Sequence, residues 1–105
     1  MSKKNKKSES GCPIHAVGET TNAKILVDGI WAMYETHGLP LDIIFDLCIR
    51  KEWMPDWIEL YKQMRDSGMK HSRILSKLEE SINDSFGKEF GDVVILRLSN
   101  YFSVI

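Results

Sequence analysis

The sequence predicts an all-α protein: a compact bundle of four to five short helices behind a disordered basic N-terminal tail. Three observations lead there. Apolar residues from Ala23 onward recur at spacings of three and four, which puts them on one face of a helix. Three segments starting at Gly38, Trp53 and Gly68 stand 15 residues apart, and each fits a helix of about eleven residues closed by a short turn. Finally, the one run rich in β-branched residues, Val93-Val94-Ile95-Leu96, finds no second strand to complete its hydrogen bonds and is therefore read as helix.

Residues 1–18 form the expected tail and residues 19–105 the helical domain. The tail holds Lys3-Lys4-Asn5-Lys6-Lys7 and Ser8-Glu9-Ser10-Gly11, with too little apolar surface to offset the entropy of ordering. The first helix is expected from about Thr21, along Ala23, Leu26, Ile30, Met33 and Tyr34, with Thr20 or Thr21 as cap and Gly38 as terminator. Gly29 falls in the middle of it, where it costs about 1 kcal/mol relative to Ala. Pro40 and Pro55 suit the first turns of the next two helices, because the missing N–H has no partner there anyway. Leu47, Ile58 and Leu60 are expected in the core. The last helix runs from about Phe86 to Tyr101, with Phe90, Val93, Val94, Leu98 and Tyr101 in helical register. It leaves Ile95, Leu96, Phe102 and Ile105 as exposed hydrophobes that mark an oligomer or partner surface.

Composition and charge narrow the function. The chain has 105 residues, 43% hydrophobic and 28% charged, which suits one ordinary globular domain. No apolar run approaches the roughly 20 residues that cross a bilayer, and no secretion signal is recognisable at the start. A cytoplasmic location without membrane contact is expected, in keeping with only two cysteines, Cys12 and Cys48. The net charge of −1 hides an asymmetry. Residues 1–17 carry four lysines against Glu9, a net of +3, whereas the remainder holds ten basic and fourteen acidic side chains, a net of −4. A mildly acidic body restricts any nucleic-acid contact to local patches.

Chemistry-bearing motifs are sparse. Cys12-Pro13-Ile14-His15 offers two ligands where a structural zinc needs four, and its Cys-Pro pair resembles a short motif of haem-responsive proteins. Neither a metal nor a cofactor is assigned. Carboxylates such as Asp42, Asp46, Glu79 and Glu80 stand at spacings expected of solvated helix faces. No phosphate-binding glycine loop or nucleophile elbow is present, so no enzymatic activity is expected.

The pattern richest in functional content is a twenty-residue unit starting at Ile44. Leu47 and Cys48 fall on the inner face of a first helix, Trp53 just after a turn, and Ile58 and Tyr61 on the inner face of a second. This resembles the helix-turn-helix of DNA-binding proteins, and the run Met54–Tyr61 is similar to the start of the recognition helix in phage small terminase subunits. The resemblance implies DNA contact through the second helix. It departs from the pattern at Lys51, where a hydrophobe is usual, and at Glu52, where glycine is usual; Asp56 and Glu59 also repel phosphate. A local basic stretch supports it, since Lys70, Arg73 and Lys77 share one helical face.

Two function classes follow. The preferred one is a non-enzymatic binding or regulatory module that contacts nucleic acid through Arg50, Lys51, Lys62, Arg65, Lys70, Arg73 and Lys77. The alternative is a protein-interaction module, an adaptor or inhibitor, or a homo-oligomer. It would dock through apolar surface near the C-terminus, with Trp53, Trp57 and Phe102 as candidate partner-binding residues.

Overall fold

Val27 is the centre of a feature that local periodicity does not announce. In the computed structural model, which describes residues 12–20 and 24–102, it lies buried on a short strand. Strand β1 (His15–Glu19) pairs antiparallel with β2 (Ile25–Asp28), and β2 pairs parallel with β3 (Trp53–Pro55). The order in the sheet is β1-β2-β3. Helices α1 (Ile30–His37) and α2 (Leu41–Arg50) form the crossover between the two parallel strands, and α3 (Trp57–Asp66), α4 (His71–Phe86) and α5 (Lys88–Tyr101) complete the chain.

The fold is therefore mixed α/β, five helices with a three-stranded sheet among the described residues, and not the all-α bundle that the sequence predicts. The cause lies between Ala23 and Met33. Their helical spacing is real, but it is shared between the strand Ile25–Asp28 and the helix that starts at Ile30. Gly29 separates the two, with φ of 94°, in the left-handed region that favours glycine. It is not a weak point inside a helix. A Cβ there would overlap the backbone carbonyl of Pro13, so Gly29 lets the N-terminal segment cross the start of α1.

That segment belongs to the folded body from Ile14 onward. Ile14 is part of the core, and His15–Glu19 carry β1, although all five residues of the strand are exposed. Lys3, Lys4, Lys6 and Lys7 lie outside the described residues. Thr20 caps no helix: its amide donates to the Lys24 carbonyl at 2.8 Å and its hydroxyl accepts from the Lys24 amide at 3.2 Å, closing the β1–β2 connection.

Helices α2 and α3, of ten residues each, fit the units expected from the 15-residue spacing, whereas α4 runs on for 16 residues to Phe86. Gly38 ends α1 with φ of 69°, and its amide bonds to the Tyr34 carbonyl. Pro40 precedes α2, but Pro55 sits in β3 and not in a helical turn. Asp56 caps α3 by accepting from the Glu59 amide at 3.2 Å, which satisfies one of the free donors of the first turn. The run Val93–Leu96 is helical within α5, as its spacing predicts.

Packing follows the amphipathic faces. Ile44, Phe45 and Cys48 of α2 meet Leu60, Tyr61 and Met64 of α3 and Ile74, Leu78 and Ile82 of α4 in one core. Leu60 is buried as expected, whereas Ile58 and Leu47 are only half-buried. An aromatic cluster joins α2 and α3 to the α4–α5 junction: Phe45 meets Trp57 edge-on with ring centroids 5.4 Å apart, Trp57 meets Phe86 at 5.8 Å, and Phe86 stacks on Phe90 at 4.9 Å.

Candidate functional site

The two helices of the expected helix-turn-helix are α2 and α3, but their connection is not a tight turn. It contains β3, whose three residues are bonded into the sheet. Glu52 takes φ of 59° at the end of α2, so the position where a helix-turn-helix usually has glycine does adopt the left-handed conformation. Its carbonyl accepts from the Ile25 amide at 3.2 Å, which opens the parallel pairing. The would-be recognition helix α3 turns Trp57, Leu60, Tyr61 and Met64 into the core and exposes Lys62 and Arg65 together with Asp66.

The predicted basic residues are divided among three places. Arg50 and Lys51 stand exposed at the end of α2, where the Lys51 ammonium lies 5.6 Å from the centre of the Trp53 ring. Lys62 faces Glu59 at 3.8 Å, an exposed pair worth little. On α4, Arg73 and Lys77 line a concavity of about 470 Å³ with Ser72, Ser76 and Glu80. The Lys77 ammonium there lies 5.0 Å from the centre of the Tyr34 ring, close enough for a cation–π attraction.

The predicted partner-binding aromatics are mostly committed inside the molecule. Trp57 is a core residue, packed against Phe45, Phe86 and Phe90. Trp53 is half-buried in β3. Phe102 stacks on Tyr61, with centroids 3.9 Å apart and planes within 15°. The Tyr61 hydroxyl in turn hydrogen-bonds His71 Nδ1 at 2.6 Å, so this imidazole is tied to the core edge.

Cys48 is itself unsuited to nucleophilic chemistry. Burial disfavours its thiolate and pushes its pKa up to about 12, whereas a reactive thiol needs the opposite shift. Cys12 is exposed. Among the described residues, no three His, Cys, Asp or Glu side chains converge on a point that could hold a metal, and no helix is long and apolar enough to cross a membrane.

The surface that stands out lies along α5. Val93 and Leu96 are each 63% exposed and Tyr101 is 58% exposed. Val93 also borders a concavity of about 450 Å³, whose other walls include Leu26, Met54, Ile58 and Phe90, with Arg97 at its edge. Leu26 and Met54 are register partners across the parallel pair, so their side chains share the sheet face opposite to Val27. This groove runs between a sheet face and a helix, and it requires β2 and β3 to exist. Helical periodicity flags Leu96 as exposed but places Val93 and Tyr101 on the inner stripe, and it shows nothing of the groove wall facing them.

No protein-family model, curated protein or solved structure matches this chain.

Proposed function

We propose that this chain is a non-enzymatic protein-interaction module that docks through the outer face of α5. The observation that supports the reading is the exposure of Val93, Leu96 and Tyr101 on one helix, with Val93 at the rim of an apolar groove. An amphipathic helix buries its apolar stripe and turns a polar face to water. Helix α5 does bury Gly91, Val94 and Leu98, yet it also keeps large hydrophobes on the side away from the core. Contiguous exposed apolar surface beside a groove is the usual mark of a docking site. Photo-crosslinking tests this directly. A photoreactive residue replacing Leu96 in the full chain should form protein adducts in the cells that express it, whereas one replacing Ile43, an exposed hydrophobe on α2, should not. Absence of any adduct from position 96 would remove the reading.

A second reading has its own observation, the concavity on α4 where Arg73 and Lys77 stand with two serine hydroxyls. Such a group suits phosphate oxygens of a nucleic acid, with Lys70 extending the row. Phosphate contacts release counterions, so duplex binding would fall steeply with salt, and alanine at Lys70, Arg73 and Lys77 would flatten that dependence. A wild-type chain that binds no duplex at low salt would eliminate this second reading.

A further inference from the structure

The exposed face of α5 carries a charge pattern that is complementary to itself. Glu89, Val93 and Arg97 follow one another at intervals of four residues, and all three are exposed. Residues at i, i+4 and i+8 form a ridge on a helix surface. The ridge here reads acidic, apolar, basic. Neither Glu89 nor Arg97 has an ion-pair partner among the described residues, whereas the neighbouring Asp92 is already held by Lys88 at 3.3 Å. The two unpaired charges stand at equal distances on either side of Val93, roughly 6 Å each at the rise of an α-helix.

We infer that the occupant of this face is a second copy of the chain, with the two α5 helices packed antiparallel about a two-fold axis at Val93. The inference rests on the reading of α5 as the docking surface. A two-fold axis makes an interface isologous: if residue i touches residue j, then j touches i. With the axis at Val93, Glu89 of each copy stands opposite Arg97 of the other, giving two equivalent ion pairs. Val93 meets Val93 at the centre. A parallel arrangement would instead set Glu89 against Glu89 and Arg97 against Arg97, so the charges select the antiparallel one.

Sedimentation equilibrium of the full chain tests this with four proteins. The wild type should form a dimer. Glu89→Arg and Arg97→Glu each place like charges opposite one another, and each should weaken dimerisation by about ten-fold or more. The double variant, with both reversals in one chain, restores the attraction with opposite polarity and should recover most of the wild-type affinity. Mixing the two single variants should produce a heterodimer tighter than either homodimer, because one variant carries two basic and the other two acidic side chains at these positions, so both cross pairs are attractive, whereas each homodimer holds two like-charge clashes. Circular dichroism of each variant should match the wild type, since both positions are exposed. A wild type that stays monomeric at every concentration would overturn the inference, as would a dimer indifferent to both charge reversals. A monomer whose position 96 still crosslinks to a different protein would leave the docking reading intact and remove only the self-association; no adduct at all would remove both.

Discussion

Gly91 of α5 lies directly against the side-chain carbonyl of Asn83 on α4, so that any Cβ at position 91 would overlap Asn83 Oδ1. This oxygen is buried and accepts no hydrogen bond. The two helices thus approach closely because a glycine and a short amide meet between them. Gly91→Ala should destabilise the protein by about 1–3 kcal/mol, the usual range for overpacking. Asn83→Ala removes both the obstacle and an unsatisfied acceptor, so it should cost little alone and should recover most of the loss in the double variant. Urea unfolding of the three variants measures this; equal loss in Gly91→Ala with and without Asn83 would show that the contact is not the cause.

Glu52 gives a second prediction. A non-glycine residue in the left-handed region carries a cost of about 1–2 kcal/mol, partly offset by the lower chain entropy of the unfolded state relative to glycine. Glu52→Gly should therefore stabilise the protein, by up to about 1 kcal/mol, without altering the parallel pairing that the Glu52 carbonyl begins. A lower urea midpoint in this variant would mean that the Glu52 side chain contributes more than its backbone conformation costs.

The buried thiol sets a pH dependence. Folding raises the pKa of Cys48 from 9.0 to about 12, so the folded state favours the protonated form. Its contribution to stability is fully present below pH 9 and declines as pH rises from 9 toward 12. The stability difference between wild type and Cys48→Ala should shrink over that interval. At mildly alkaline pH a thiol reagent should label Cys12 promptly and Cys48 only at the rate of unfolding. Equally fast labelling of both cysteines would contradict the burial of Cys48.

The helices were legible in the sequence because their signals are local. Gly38 closes α1, Pro40 precedes α2, and the spacing of Phe90, Val94 and Leu98 marks the inner face of α5, whereas the start of α1 and the Asp56 cap of α3 are not read from it. The sheet was not legible because its central relationship is not local. Leu26 and Met54 become neighbours only after two helices have carried the chain back, as parallel pairing requires. Strands of four and three residues are too short to show alternation, and Pro55 argues against a strand on residue type alone. The same limit applies to the site. Of the hydrophobes expected to be exposed near the C-terminus, Leu96 is exposed, Ile95 and Phe102 pack against the core and Ile105 lies outside the described residues. Val93 and Tyr101, placed by helical spacing on the inner stripe, face outward, and the groove beside them depends on β2 and β3. Trp57 illustrates the converse: residue type suggests a binding hot spot, but the fold encloses it between Phe45, Phe86 and Phe90.

The central claim, that α5 is the surface through which this chain associates with a second copy of itself, is tested most directly by amide NMR of the isotopically labelled full chain as its concentration is raised. The account predicts concentration-dependent shifts at Glu89, Val93, Leu96 and Arg97, with residues of the α4 concavity such as Arg73 and Lys77 unmoved. A spectrum that does not change with concentration, or one whose changes fall on α4 and spare α5, would contradict it.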